Sequence, residues 1–265
     1  MVVWNVDPEI FNITLLGQTI APRYYALAFI LGFFLGEKFV SKYMLEKGFT
    51  KEDVSKLFTH MLLGCIIGAR LGHCLFYEPG YYLSQPLEIF KVWQGGLASH
   101  GGFLGVMIGI WLFNKKASQK VDVLWLLDVG APPSLITGAY IRIGNLMNSE
   151  IIGKPTNSDW GFIFKRVDNI PRHPAQLYEA AGYFIVSLIG FYLYKNHRQK
   201  LPKGSIVGFI LCGGMGWRFL TEFFKENQVS FEAGMFLNMG QILSILMFGV
   251  GAYLLIRPRL SQGKD

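Results

Sequence analysis

Seven long apolar stretches, separated by short polar and charged segments, organise this 265-residue chain. They cover residues 21–40, 57–77, 95–113, 121–144, 175–194, 204–224 and 236–256. A helix needs about 20 mostly apolar residues to cross the hydrocarbon core of a bilayer, and somewhat fewer when aromatic or basic residues anchor its ends. The pattern therefore predicts an all-α integral membrane protein with seven transmembrane helices. The third stretch is interrupted by glycines. The fourth carries Pro132 and Pro133, which remove backbone donors and predict a kink or a cavity. No tandem repeat, low-complexity tract or matched pair of broken helices is visible, so the chain reads as a single polytopic membrane domain over 1–265.

The loops between the stretches alternate in charge. "SKYMLEKGFTKEDVSK", "NKKASQK", "KNHRQKLPK" and the tail "RPRLSQGKD" are rich in lysine and arginine, whereas "EPGYYLSQPLEIFK" and "KENQVSFEAG" hold one lysine each. Under the positive-inside rule the basic set is cytoplasmic, which puts the N-terminus outside and the C-terminus inside. Residues 145–174 are the awkward loop, because they hold Lys154, Lys165, Arg166 and Arg172 yet fall on the outer side. Their Gly, Pro and Asn turn signals predict a small extramembrane cap between the fourth and fifth helices. Residues 1–20 lack a basic n-region and a cleavage site, so they are expected to remain in the mature chain as an outer-surface segment.

Composition agrees with lipid as the solvent, at 51% hydrophobic, 15% aromatic and 16% charged. The formal net charge of +7 comes from short clusters between apolar runs and not from a basic stripe, so no nucleic-acid partner is expected. Cys65, Cys74 and Cys212 lie inside apolar runs without CxxC spacing, which predicts neither disulfides nor a zinc site.

Once orientation is assigned, each intramembrane polar residue acquires a depth. Tyr24 and Tyr25 open span 1, Arg70 and His73 close span 2, His100 opens span 3, and Arg142 with Asn145 closes span 4. Tyr178 and Glu179 open span 5, Arg218 and Glu222 close span 6, and Asn238 with Gln241 opens span 7. All fall in the outer part of the membrane, whereas His60 and Asp128 fall toward the inner side. Each residue taken singly also has a plain structural reading. Arg70 can snorkel to the interface, Arg218 and Glu222 at i, i+4 can form an ion pair, and the tyrosines can belong to an aromatic belt. The glycines around His100 either admit a bulky acyl ligand to the backbone or, with Gly101 and Gly105 four apart, pack helices together. As a set, Arg70, Arg142 and Arg218 suit a bidentate grip on phosphate, and His100 is the side chain able to accept a proton near neutral pH. The chemistry this suggests is work on an anionic phospholipid, with no metal and no cofactor.

Six further stretches, in order, carry a resemblance. "VDPEIFNI" with "RYYALAF", "GARLGHCLFY", "GGLASHGGFLG", "RIGNLMNSEIIG", "HPAQLYE" and "RFLTEFF", followed by "MGQILS", resemble the motifs of the bacterial phosphatidylglycerol:prolipoprotein diacylglyceryl transferase family, Lgt. The resemblance implies transfer of a diacylglyceryl group from phosphatidylglycerol to the lipobox cysteine of a prolipoprotein signal peptide, in the bacterial cytoplasmic (inner) membrane with the site on the periplasmic side. Carried over, the family's essential tyrosine falls on Tyr25, its histidine on His100, and its arginine and asparagine on Arg142 and Asn145. Glu150, Gly153, Arg218 and Glu222 match the remaining motif positions. Tyr24 stands where tryptophan is usual, and Ala26, Ile141 and Leu146 replace glycine, glycine and phenylalanine; none of these changes removes a reactive group. The implied roles are catalytic for His100, Arg142, Arg218, Glu222 and Tyr25. Substrate binding falls to Arg142, Asn145, Glu150, Gly153 and Arg218, with Arg70 added from its place in the polar layer. Three rival readings are weaker, one of them a pure lipid-binding scaffold, which requires that turnover be absent. An anion transporter would show polar groups on both sides of the midplane, and a Ser99–His100 protease dyad fails because adjacent helical residues point about 100° apart.

Overall fold

The computed structural model describes residues 1–15, 18–91, 96, 98–227 and 234–262. Each of the seven apolar stretches coincides with one long helix. These are α1 (Tyr24–Glu46), α2 (Lys51–Phe76), α4 (Ser99–Lys116), α5 (Val123–Met147), α6 (Ala175–His197), α7 (Ser205–Glu222) and α8 (Met239–Gln262). Among the described residues, four segments, Tyr24–Glu46, Lys51–Phe76, Ala175–His197 and Met239–Arg257, are long and apolar enough to cross a membrane. Their outward side chains fit that reading: Leu27, Phe29, Ile30 and Phe34 on α1 and Leu246, Phe248 and Val250 on α8 are all exposed. In water such a surface would be costly, whereas lipid chains solvate it.

Two features depart from the all-helical expectation. The loop "EPGYYLSQPLEIFK" contains a short helix, α3 (Pro79–Ser84), and a 3-10 turn (Pro86–Phe90), each opened by proline at its first position. Among the described residues there are also five short strands: β1 (Val2–Trp4), β2 (Ile13–Leu15), β3 (Gln18–Ile20), β4 (Phe162–Phe164) and β5 (Pro171–Arg172). β2 and β3 pair antiparallel. β1 runs parallel to β4, which pairs antiparallel with β5, so the N-terminal residues and the loop after α5 share one sheet. Trp4 fixes that sheet to the end of α5 by donating from Nε1 to the Leu146 carbonyl at 2.9 Å.

The chain divides into two compact units, residues 40–123 and residues 1–39 with 124–265. In the first, Thr50 and Asp53 form a reciprocal capping box at the start of α2. α2 then packs against α4 through glycines. A Cβ on Gly64 or Gly105 would collide with the other's carbonyl, and Gly68 and Gly101 stand in the same relation. Gly101 and Gly105 therefore serve the close approach of two helix backbones, which decides between the two readings of the glycine-rich motif.

In the second unit α5 runs through Pro132 and Pro133 as one assigned helix. Ser187 of α6 donates to the Pro132 carbonyl at 2.7 Å and Thr137 to the Pro133 carbonyl at 2.7 Å, which anchors the backbone around the prolines. Asp128, the inner-side outlier of the polar pattern, caps α7. Its carboxylate accepts from the backbone N–H groups of Gly204 at 2.7 Å, Ile206 at 3.0 Å and Val207 at 2.8 Å. Those amides are orphan donors of a helix start, and a carboxylate there also complements the helix dipole.

Candidate active site

Within the unit formed by residues 1–39 and 124–265, the ends of α5 and α7 and the beginning of α6 meet in a connected polar network. Arg142, in the last turns of α5, places Nε 3.0 Å from Glu179 Oε1. Its Nη1 donates to Asn145 Oδ1 at 3.1 Å, as the i, i+3 spacing allows. Asn145 Nδ2 in turn donates to Glu150 Oε2 at 3.3 Å, and Asn148 Nδ2 donates to Glu150 Oε1 at 2.9 Å. Gln176 holds the Glu150 carbonyl at 2.6 Å. The backbone fixes Glu150 unusually: Ser149 and Ile151 on either side both have φ of 54°, the left-handed region that L-residues occupy at a cost.

On the other side of Glu179 stands Lys225. Its Nζ lies 2.5 Å from Glu179 Oε2 and 2.7 Å from Glu222 Oε1. Glu222 also faces Arg218 Nε at 3.5 Å and accepts from Asn238 Nδ2 at 3.3 Å. Tyr183 donates to Glu179 Oε1 at 2.6 Å. Glu179 is 0%, Lys225 1% and Glu222 4% exposed, so these charges have left water and depend on one another for compensation. Arg142, Arg218 and Lys225 face Glu179 and Glu222, a balance of +1; Glu150, bonded by amides rather than cations, brings the wider group to neutrality.

Of the residues singled out from sequence, Arg142, Asn145, Glu150, Arg218 and Glu222 thus belong to one network. Gly153 adjoins it through a backbone bridge to Lys225, and a Cβ at Gly153 would collide with the His173 and Phe224 carbonyls. Its smallness serves the closing of the loop over the end of α7. Tyr25, in the first turn of α1, packs against Gly144 and lines a cavity of about 480 Å³ with Arg23, Asn148 and Glu150. Glu150 therefore belongs both to the network and to the wall of this cavity.

Arg70 lies in the other unit. There its guanidinium donates to the carbonyls of Ile89 at 2.8 Å, Glu88 at 2.6 Å and Gly96 at 3.3 Å, and it sits 5.0 Å from the centre of the Tyr82 ring. It ties the segment after α3 to α2. His100 opens α4, and its side chain lies outside the described part of the structure.

Among the participants that sequence reasoning missed or left unassigned, Gln176 and Tyr183 are neutral and two are charged. Glu179 was noticed only as one polar residue at the start of a span. Lys225 was counted merely as a loop lysine, although its i, i+3 spacing from Glu222 was the available signal.

Comparison with known proteins identifies the family. The profile of the family described as prolipoprotein diacylglyceryl transferase matches residues 12–257. A phosphatidylglycerol--prolipoprotein diacylglyceryl transferase of Bacteroides fragilis is 46% identical over 263 residues, covering 94% of this chain and 92% of that protein. Proteins of the same name from Tolumonas auensis and Chloroherpeton thalassium are 41% and 40% identical, each covering 97% of this chain and 97% and 94% of their own lengths. With a family match over nearly its whole length and relatives at this identity, the chain belongs to the prolipoprotein diacylglyceryl transferase family.

Proposed function

We propose that this chain transfers the diacylglyceryl group of phosphatidylglycerol to the lipobox cysteine thiol of a prolipoprotein, the first step of bacterial lipoprotein maturation. The thiol sulfur forms a bond to the terminal glycerol carbon of the diacylglyceryl group while that carbon's bond to phosphate oxygen breaks. The products are a thioether and glycerol 1-phosphate, and the thiol proton goes to a base or to the solvent. Family membership supports the reaction. The observation that carries the mechanism is that Arg142 and Arg218 stand in one network, each beside a buried carboxylate, Glu179 at 3.0 Å and Glu222 at 3.5 Å. A guanidinium is a cationic fork of donors that suits phosphate, and two held in one site can share an anion between them.

As the carbon–oxygen bond breaks, the phosphodiester monoanion becomes a phosphate monoester and gains negative charge. Cationic donors held in advance bind that developing charge more strongly than they bind the ground state, which lowers the barrier. Glu179 and Glu222 hold the arginines so that little reorganisation is needed during reaction. Asn145 and Glu150 orient the headgroup, and Tyr25 lines its approach. Gly153 permits the fold of this wall. A cysteine thiol of pKa about 8.5 is mostly protonated at neutral pH, so a base or a positive field assists it. His100 is assigned the base role. Arg70 is assigned to headgroup binding, as its place in the outer polar layer of the sequence suggests. All seven long helices cross the cytoplasmic membrane as one polytopic domain, with the N-terminus and the polar network toward the outer face.

The test is a detergent assay with phosphatidylglycerol and a lipobox peptide. The peptide is expected to gain one diacylglyceryl group on cysteine as glycerol 1-phosphate appears in equal amount, and an unchanged peptide mass with well-folded protein would refute the reading. His100→Gln is expected to lower turnover and alter its pH profile; near-normal turnover with an unchanged profile would remove the base role.

A further inference from the structure

Lys225 follows the end of α7, and its backbone N–H bonds the Glu222 carbonyl at 3.2 Å while a bridge to Gly153 fixes it from the other side. From there its ammonium reaches Glu179 of α6 and Glu222 of α7 together, at 2.5 and 2.7 Å, with 1% of the residue exposed. Each of those carboxylates holds one arginine: Glu179 meets Arg142 at 3.0 Å and Glu222 meets Arg218 at 3.5 Å. We propose that Lys225 is a positioning residue that sets the spacing and the availability of Arg142 and Arg218 by drawing the two carboxylates that hold them onto one ammonium. The proposal rests on the phosphate-gripping role given to the arginines above.

The distances carry the argument. Glu222 sits closer to Lys225 than to Arg218, so the lysine takes most of its charge and leaves the Arg218 guanidinium, still beside Glu222, with charge to offer an anion. Glu179 is likewise shared, by Lys225, Arg142 and the Tyr183 hydroxyl. In a site this dry, removing one cation leaves two carboxylates that, among the described residues, only the arginines neutralise. The arginines would close on them, and an incoming phosphate would have to compete for both. Loss of Lys225 takes the inner group of five charges from +1 to 0; removing the Glu179 charge as well returns it to +1.

That bookkeeping defines the experiment. Turnover of phosphatidylglycerol and lipobox peptide in detergent micelles is followed for the wild type, Lys225→Met, Lys225→Arg and Lys225→Met with Glu179→Gln, alongside each protein's thermal unfolding. Lys225→Met is expected to lower kcat about tenfold or more with the KM for the peptide little changed, because the arginines grip phosphate and not thiol. Lys225→Arg, which keeps the charge, is expected to retain most of the turnover. The double variant is expected to recover part of what Lys225→Met loses, an effect that a packing role would not produce. Wild-type kcat in Lys225→Met, a folded Lys225→Arg without activity, or a double variant weaker than Lys225→Met would each overturn the proposal. If Lys225→Met does not fold, the Lys225→Arg result decides. A wild type that folds but modifies no peptide would instead remove the transferase reading on which the proposal depends.

Discussion

Replacing Asp128 with alanine removes the cap of the helix that carries Arg218 and Glu222. The Asp128 carboxylate accepts three backbone N–H bonds, from Gly204, Ile206 and Val207, and the residue is 6% exposed, so water does not stand in for the lost oxygens. A buried donor left without a partner costs about 1–3 kcal/mol, and bonds to a charged acceptor lie at the upper end. The three donors fall within one turn and share part of the loss, so the expected destabilisation is about 3–6 kcal/mol. Asp128→Asn keeps one oxygen. Turned toward Ile206 and Val207 it preserves two of the three bonds, and the loss falls to about 1–2 kcal/mol. Thermal unfolding in detergent reads both variants. For a chain of this size about 3 kcal/mol corresponds to a midpoint lower by roughly 6–12 °C. Asp128→Asn is expected between the wild type and Asp128→Ala. An alanine variant that unfolds at the wild-type temperature would refute the capping account, and equal losses for Asn and Ala would refute the bond-by-bond reckoning.

Other consequences are open to similar checks. Ser149 has φ of 54° and a buried hydroxyl without a hydrogen-bond partner among the described residues, so Ser149→Gly relieves both costs and is expected to stabilise by about 1 kcal/mol, whereas Ser149→Val is expected to destabilise by about 2 kcal/mol. Unfolding midpoints that move together would contradict the assignment of strain there. In the cap, the hydrogen bonds and charge of Arg172 hold the Asp168 carboxyl below its ordinary value of 3.8, at 2.6 and 2.9 Å. A depressed folded pKa contributes stability above the unfolded value and loses it as pH falls through the folded one. The stability gap between wild type and Asp168→Asn is therefore expected to be present at neutral pH and to vanish as the pH is lowered below about 4. Amide exchange in β4 and β5 across that range measures it, and a gap that persists in acid would count against the pairing.

The helical frame was legible because lipid solvation writes itself into long apolar runs, and all seven runs coincide with helices. The short strands were not, since three residues show no alternation and β1 pairs with β4, residues far along the chain. Arg142 with Asn145, and Arg218 with Glu222, were visible as helical spacings that hold in the structure. Lys225 was hidden because its meaning depends on Glu179, which only the packing of α6 against the end of α7 brings near. Asp128 looked anomalous at its depth for the same reason: its partners are backbone amides, which a sequence does not display. Gly101 and Gly105 illustrate a third case, in which a glycine motif fits ligand access and helix packing equally well until the opposing residues, Gly64 and Gly68, are known.

The central claim is that an arginine at the end of α5 grips the lipid phosphate while the diacylglyceryl group moves to a cysteine. Mass spectrometry of a lipobox peptide incubated with phosphatidylglycerol and either the wild type or Arg142→Ala, both shown to be folded, tests it most directly. Diacylglyceryl addition on the cysteine by the wild type and none by the variant is the expected result. Equal addition by both proteins would contradict the role of Arg142, and addition by neither would contradict the transferase itself.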